Sequence, residues 1–195
     1  MREKKPLLIF DFFGVVVGEV AHTWLKKHMH SDKAQQVIES VLVEADEGKL
    51  SETQLFASLE SVTGVKADLI KKDWFELGQL NTETLTFIKQ HKNDYHFALL
   101  SNAIESYIKQ YFDMFNLYGI FDEVYISSVI RLAKPNRAIF DYVLATFPHP
   151  YSHAIMIDDS THNIEGAKHA GLEGIVFKHM AQTARDINTL TNKTI

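Results

Sequence analysis

The stretch IFDFFGVVV, from Ile9 to Val17, decides the fold of this chain. The apolar run Leu7–Phe10 leads directly into Asp11, and Gly14 follows closely. A short run that is apolar on both faces predicts a strand buried in a parallel sheet. A carboxylate at the carboxyl end of such a strand costs free energy unless it is paired or used in chemistry. The alternative for Asp11 alone is an ordinary turn or capping residue.

Further short apolar runs predict the rest of a sheet, and amphipathic segments between them predict helices. The predicted strands are Phe97–Leu100, Val124–Ile126, Ala154–Ile157 and Gly174–Phe177. The predicted helices are Ile104–Met114, Asn136–Phe147 and Asn163–Ala170. Strands that alternate with helices are typical of a doubly wound parallel α/β core.

One segment, from about Gly18 to about Asn81, breaks this alternation and is helical throughout. Its predicted helices are Ala21–His30, Lys33–Ala45, Ser51–Thr63 and Ala67–Leu77. Ligands of open α/β sheets bind outside the carboxyl ends of the strands, so an insert after the first strand would cover that site. We therefore expect an α/β core formed by residues 1–17 and 82–195 and a helical cap formed by residues 18–81.

Composition narrows the classes of function. The length of 195 residues fits one core with a modest insert, and the 46% hydrophobic and 23% charged residues are typical of globular proteins. The absence of cysteine excludes disulfides, a thiolate nucleophile and a Cys-ligated metal. The net charge of -5 argues against a nucleic-acid partner. No apolar stretch approaches the roughly 18 residues of a membrane span, so we expect a cytoplasmic protein with no membrane partner; the oligomeric state stays open.

Acidic residues recur at the ends of the predicted strands. Asp158 and Asp159 follow the run AIMI in the same way that Asp11 follows the first run. Two adjacent carboxylates repel each other and raise each other's pKa unless a cation is present. Three carboxylates at one edge of a sheet favour a hard cation with oxygen ligands, most simply Mg²⁺.

Three further residues have two interpretations each. Ser101 and Asn102 end the run FALLSN just before a predicted helix, where they could bind an anion or cap the helix. Lys134 precedes Pro135, where a lysine is more often a solvated loop charge than a site residue.

Four motifs that occur in a fixed order indicate a family more specifically than any one of these residues does. The segments IFDFFGVVV, LLSNA, AKPNRAIF and MIDDSTHNIEGAKHAG resemble, in order, the four motifs of the haloacid dehalogenase (HAD) superfamily. The segment ADEGKLSETQLFASL is similar to the helical caps of the subfamily related to glucose-1-phosphate phosphatase and the N-domains of soluble epoxide hydrolases. The resemblance spans nearly the whole chain and implies a hydrolase with a Rossmann-like core and a small helical-bundle cap.

The resemblance also implies roles for the residues that match its motifs. Asp11 would be the nucleophile that forms a covalent aspartyl intermediate, which divides one difficult displacement into two easier ones. Ser101, Lys134 and the backbone of Asn102 would hold the transferring phosphoryl oxygens, and Lys134 would also balance the charge of Asp11. The implied substrate is a small phosphorylated metabolite.

The same resemblance implies a Mg²⁺ site. Its ligands would be the Asp11 carboxylate, the Phe13 backbone carbonyl, Asp159 and, directly or through water, Asp158. Asn163 would support the acidic loop. The cation would shield the anionic nucleophile from the anionic substrate and stabilise charge as it spreads.

Position 13 departs from the phosphatase pattern, which has a second Asp two residues after the nucleophile. Phe13 can neither protonate a leaving alcohol nor activate water, and such help contributes typically about 10²–10⁴-fold. Glu19 and His22 are candidate substitutes, although nothing in the sequence places them near Asp11.

Two alternatives to a phosphatase remain open. Haloacid dehalogenases also lack the second Asp and need no metal, but they hold the substrate carboxylate with an Arg near the start of the cap. This sequence has no Arg between Arg2 and Arg131 and has the phosphatase-like DDSTHN loop, so we rank a dehalogenase lower. The third interpretation is a binding or regulatory protein that retains the site without turnover, which Phe13 favours.

Overall fold

A computed structural model describes residues 4–191 and contains a single five-stranded sheet in that range. The strand order is β3-β2-β1-β4-β5 and every pairing is parallel. The strands are β1 (Lys5–Phe10), β2 (His96–Ser101), β3 (Glu123–Ile126), β4 (Tyr151–Asp158) and β5 (Glu173–Val176). The predicted α/β fold is therefore confirmed, and each strand predicted from an apolar run is present.

The first strand lies at the centre of the sheet and is buried on both faces. Leu8 pairs with Phe97 on β2 and with Ile155 on β4. Leu8 and Phe10 pack into the apolar core on one face, and Leu7 and Ile9 pack into the core on the other. The carboxyl end of β1 therefore lies beside the carboxyl ends of β2 and β4.

The segment between β1 and β2 is helical, as predicted. It contains α1 (Ala21–His28), α2 (Ser31–Val37), α3 (Val43–Asp46), α4 (Glu52–Thr63) and α5 (Ala67–Leu77). A π-helical turn, Ile38–Leu42, joins α2 to α3, so the helix predicted over Lys33–Ala45 is present but changes its hydrogen-bond register midway. Ser51 and Gln54 form a capping box at the start of α4, with the two reciprocal hydrogen bonds that define it.

Within residues 4–191, six helices complete the core. They are α6 (Thr82–Gln90), α7 (Glu105–Phe115), α8 (Ser127–Ile130), α9 (Arg137–Thr146), α10 (Thr161–His169) and α11 (Met180–Thr191). The sequence pattern did not reveal α11, whose segment is largely polar. Met180, Thr183 and Ile187 are nevertheless buried, which is the spacing of one helix face. No helix within residues 4–191 is both long and apolar enough to cross a membrane.

The chain leaves and re-enters the core at one place, where its two connections run side by side. The Gly18 amide donates to the Gln79 carbonyl at 2.8 Å, and the Asn81 amide donates to the Val16 carbonyl at 2.9 Å. Between them, Val17 and Leu80 form an antiparallel bridge. This paired neck supports our proposal that residues 18–81 form an inserted cap.

The helical segment packs closely on core helix α7. Glu52 on α4 accepts hydrogen bonds from Ser106 at 2.6 Å and from Gln110 at 3.0 Å, and Lys71 lies 2.5 Å from the same carboxylate. The Tyr111 hydroxyl donates to the Trp74 carbonyl at 3.0 Å. Lys71 therefore belongs to the contact between the helical segment and the core.

Candidate active site

The carboxyl ends of the central strands bring the predicted acidic residues together. Asp11 directly follows β1, and its amide donates to the Ile157 carbonyl of β4 at 2.9 Å. Asp158 ends β4 and Asp159 follows it. Asp11, Asp158 and Asp159 each offer an oxygen within 4.8 Å of the others. The parallel pairing of β1 with β4 is what places residues so distant in sequence at one point.

Lys134 lies between two of these carboxylates. Its Nζ is 2.8 Å from Asp11 Oδ1 and 2.7 Å from Asp158 Oδ2, and it donates to the Leu100 carbonyl at 3.0 Å. The residue is only 4% exposed, so its interpretation as a solvated loop charge is wrong. Burial alone would lower the pKa of Lys134, but the charges of Asp11 and Asp158 raise it. Lys134 is therefore a permanent cation at the site.

Two asparagines hold the charged groups in place. The Asn102 amide donates to the Lys134 carbonyl at 2.9 Å, and the Lys134 backbone amide donates to Asn102 Oδ1 at 2.8 Å. The Asn163 amide lies 3.1 and 3.2 Å from the two Asp158 oxygens. The Asn102 side chain is thus committed to positioning Lys134, a role the sequence did not reveal. Asn163 makes the contact that its predicted supporting role requires.

The three carboxyl groups experience different electrostatic environments. Burial alone would raise the pKa of Asp158, but Lys134, the Ser160 amide and Asn163 lower it. Burial first, and then the charge of Asp158, raise the pKa of Asp11 well above its usual value. Desolvation and the charge of Asp158 likewise raise the pKa of Asp159. The charge of Lys134 acts to lower the pKa of both Asp11 and Asp159, but burial and the neighbouring carboxylate outweigh it.

A cavity of about 560 Å³ lies between the strand ends and the helical segment. Its floor is formed by core residues, and its walls come from α1, the π-helical turn, α3, α4 and α5. The predicted site residues that line it are Asp11, Phe13, Asn102, Lys134, Asp159 and Asn163. Ser101 and Asp158 are not part of the lining and are completely buried. Within the described residues, the Ser101 hydroxyl has no hydrogen-bond partner.

The sequence profile of the haloacid dehalogenase-like hydrolase family matches residues 9–177, from β1 to just beyond β5. The chain belongs to this family. The prediction made from the four motifs is therefore confirmed at the level of the superfamily, and with it the assignment as a hydrolase.

Solved structures share the fold of this HAD-like hydrolase. A HAD family enzyme from Bacteroides thetaiotaomicron superposes with a TM-score of 0.76 at 21% identity, covering 98% of this chain and 100% of that one. A complex of that enzyme with magnesium and inorganic phosphate gives 0.70 at 22% identity, covering 90% and 94%. The L-2-haloacid dehalogenase from Xanthobacter autotrophicus gives 0.64 at 15% identity, covering 97% and 83%. These likenesses show the fold alone.

One curated relative is similar over part of its length. The drimenol cyclase of Aspergillus calidoustus is 21% identical over 154 residues, which are 75% of this chain. The chain spans 29% of the length of that relative, so the similarity covers less than a third of the cyclase.

Phe13 of the HAD-like hydrolase belongs to an aromatic cluster rather than to the acidic group. Its ring stacks on Tyr107 at 6.1 Å and meets Tyr111 edge-on at 5.6 Å, both on α7. Phe75 on α5 contacts the same two tyrosines at 5.0 Å each. Phe13 therefore links the loop after β1 to the contact between α5 and α7. Sequence reasoning missed Tyr107 and Tyr111, although their spacing of four marked them as neighbours on one helix face.

The two candidate substitutes for the missing acid lie in the cavity wall and have different properties. Glu19 accepts from the backbone amides of His22 and Thr23 at 3.1 and 2.7 Å and lies 2.9 Å from His22 Nδ1. Burial alone would raise the pKa of Glu19, but these contacts hold it at about 2. Glu19 thus caps α1 and is ionised at neutral pH, so it does not serve as an acid. The hydrogen bond that Glu19 accepts from His22 raises the pKa of His22.

Proposed function

We propose that this HAD-like hydrolase is a Mg²⁺-dependent phosphatase that acts on a small phosphorylated metabolite through an aspartyl-phosphate at Asp11. The observation that carries the proposal is the group of three carboxylates at the floor of the cavity, two of which contact one buried lysine. Three carboxylates against one ammonium leave an excess of negative charge. A phosphate dianion would be repelled there unless a divalent cation offset that excess.

The donor set fits Mg²⁺. Ligands on opposite sides of Mg²⁺ lie about 4.2 Å apart, since each bond is about 2.1 Å long. The three carboxylate oxygens, within 4.8 Å of one another, need only small side-chain rotations to reach that geometry. Gly14, at φ +83°, leaves space that any side chain would take from the Asp159 carboxylate. We propose as ligands Asp11, the Phe13 carbonyl, Asp159 and, directly or through water, Asp158. When bound, the cation shields the nucleophile and stabilises charge on the phosphoryl group.

The contacts of Asp11 suit a nucleophile. Its Oδ1 accepts from the Phe12 amide at 2.6 Å and from Lys134 at 2.8 Å. Within residues 4–191, Oδ2 has no hydrogen-bond partner, so it is available to attack phosphorus or bind the cation. We assign to Lys134, the Ser101 hydroxyl and the Asn102 backbone amide the role of holding phosphoryl oxygens. The Ser101 hydroxyl at the end of β2 is buried and has no hydrogen-bond partner among the described residues, which supports an anion-binding role for it.

The cavity supports a small substrate. Its volume of about 560 Å³ lies within the range of about 300–1,000 Å³ of small-molecule sites. Its cap side combines apolar residues, Ile38, Leu42, Leu55 and Trp74, with the cation Lys26. A phosphorylated metabolite with a partly apolar leaving group matches this lining. The resemblance of the cap to that of glucose-1-phosphate phosphatases is compatible with such a substrate.

A dehalogenase is the second candidate, because Phe13 is neutral and aromatic and halide leaves without a proton. Among the described residues, no arginine lines the cavity to hold a substrate carboxylate. The paired carboxylates Asp158 and Asp159 also have no use in a reaction that needs no metal. We therefore place a phosphatase first, and a binding protein without turnover last.

One assay separates these functions. p-Nitrophenyl phosphate has a good leaving group, so its hydrolysis needs little help from an acid. We expect Mg²⁺-dependent release of nitrophenolate that is lost in Asp11→Asn and retained in Asp68→Asn, which alters an exposed carboxylate away from the cavity. Metal-independent release of chloride from 2-chloropropionate would instead indicate a dehalogenase. Activity with neither substrate would favour a binding protein.

A further inference from the structure

The proposed phosphatase lacks an identified proton donor. Phe13 occupies the usual position, and Glu19 is ionised and committed to capping α1. An alkoxide is a poor leaving group, and general acid–base help contributes typically about 10²–10⁴-fold. Another group in the cavity wall must supply that help if the chain turns over ordinary phosphate esters.

Asp46, the last residue of α3, is a carboxyl that neither the fold nor the proposed metal site uses. It lines the same cavity as Asp11 and Lys134 and is half-buried there. Within residues 4–191, no hydrogen bond and no ion pair involves its carboxylate. Glu52, by comparison, is a carboxylate of the helical segment that forms an ion pair with Lys71. A half-buried carboxyl without a partner costs free energy, and such groups are concentrated at functional sites.

The fold fixes the position of Asp46 against the core. Gly48, two residues further on, has φ +71°, and a side chain there would collide with the Ser128 carbonyl on α8. The turn after α3 is therefore seated directly on the core. This contact presents the end of α3 to the cavity and not to the outer face of the cap.

The charges around Asp46 give it two accessible protonation states. Burial raises the pKa of Asp46 to about 7, while the charges of Lys134 and then His22 act to lower it and that of Glu47 to raise it. Asp46 and Lys134 line the same cavity. An acid that must donate and then accept a proton works best with a pKa near the working pH.

We propose that Asp46 is the general acid and base of this enzyme, supplied by the cap in place of the core residue that Phe13 replaces. The inference rests on the proposed phosphatase function. In the first step, Asp11 forms a bond to phosphorus, the ester P–O bond breaks, and the leaving oxygen takes the Asp46 proton. In the second step, water attacks phosphorus and gives a proton to Asp46, and the bond to Asp11 breaks. Alcohol and inorganic phosphate are the products.

His22 is the competing donor in the wall. Its Nδ1 is fixed by Glu19, and its side chain is 51% exposed. A well-solvated histidine that already has a charged partner has less reason to lie in the cavity as a proton donor than an unpartnered carboxyl. The experiment below includes both residues, so that the kinetics decide between them.

The test compares phenyl phosphate with p-nitrophenyl phosphate, two probes of similar shape whose leaving groups differ in acidity. Asp46→Asn should lower kcat/KM for phenyl phosphate about 10²–10⁴-fold and that for p-nitrophenyl phosphate less than about 10-fold. With p-nitrophenyl phosphate, the variant should release a burst of about one nitrophenolate per active site and then turn over slowly, because the second step lacks its base. Asp46→Glu should recover part of the phenyl phosphate activity, and Asp68→Asn should match wild type.

Three results would overturn the assignment. Equal losses on both substrates would mean that Asp46 serves binding or folding. The same leaving-group dependence in His22→Gln, with none in Asp46→Asn, would make His22 the acid. An inactive wild-type protein would refute the proposed phosphatase function itself. The first two results would refute only the role of Asp46. Thermal melts of each variant show whether a loss of activity is a loss of folding.

Discussion

Replacing Asp46 by Asn should make the protein more stable at neutral and alkaline pH. The carboxyl has no partner, and its pKa is about 7 in the folded protein against an ordinary value of 3.8. Each pKa unit corresponds to about 1.4 kcal/mol, so a shift of about three units has an upper limit of about 4 kcal/mol. Because the side chain is only half-buried, solvent screens much of this effect, and we expect about 1–2 kcal/mol.

The pH dependence of this gain follows from the direction of the shift. A carboxyl with a raised folded pKa binds its proton more tightly when folded, so the wild-type protein loses stability as the pH rises from about 4 to about 7. Asn does not ionise and escapes this loss. The difference in unfolding free energy between Asp46→Asn and wild type should therefore be smallest below pH 4, grow between pH 4 and 7, and stay constant above.

Urea unfolding at a series of pH values, in the presence of a chelator, measures this difference. Asp68→Asn is the matched control, because Asp68 is exposed on α5, and its effect should stay within about 0.5 kcal/mol at every pH. A difference that does not change with pH, or a wild-type protein more stable than Asp46→Asn at pH 8, would refute the idea that Asp46 is a desolvated carboxyl without a partner.

Further perturbations test the remaining parts of the site. Phe13→Asp should raise kcat/KM for phenyl phosphate but lower the melting temperature, because the ring packs on Tyr107; unchanged turnover would show that the residue at position 13 does not limit the reaction. Asn102→Ala should lower the free energy of unfolding in urea by about 1–3 kcal/mol and reduce turnover, since it frees the backbone of Lys134. A variant as stable as the wild-type protein would contradict the role of Asn102 in holding Lys134. Mg²⁺ should raise the melting temperature of the wild-type protein but have little effect on Asp159→Asn, and equal shifts would place the cation elsewhere.

The sequence predicted the sheet well because buried parallel strands leave a simple pattern. Both faces of β1 are covered, so its residues form a short continuous apolar run that needs no knowledge of tertiary contacts. The π-helical turn at Ile38–Leu42 was missed because a local change of hydrogen-bond register alters no residue type. The last helix was missed because its buried face consists of few positions in a polar segment.

The floor of the site was predictable for the same geometric reason. The carboxyl ends of adjacent parallel strands meet at one edge, so Asp11 and Asp158 had to converge once the strands were assigned. Asp46 could not be found in this way. Its position depends on how the cap folds back and on a contact between Gly48 and the Ser128 carbonyl, neither of which has a periodic signal in the sequence. The commitment of the Asn102 side chain to Lys134 depends likewise on tertiary structure.

If Asp46 is the acid, as we propose, proton transfer depends on the position of the proposed cap. A donor two residues after the nucleophile would stay at the site however the cap moved, whereas Asp46 is at the site only when α3 lies against the core. The contacts between the helical segment and α7, which join Glu52 with Ser106 and Tyr111 with Trp74, lie outside the floor of the site. On our proposal these contacts act on the chemistry through Asp46, so that the element that encloses the leaving group also protonates it. On the same proposal, loss of the core acid at Phe13 is compatible with turnover, and the aromatic ring packs instead on the two tyrosines of α7 that contact the helical segment.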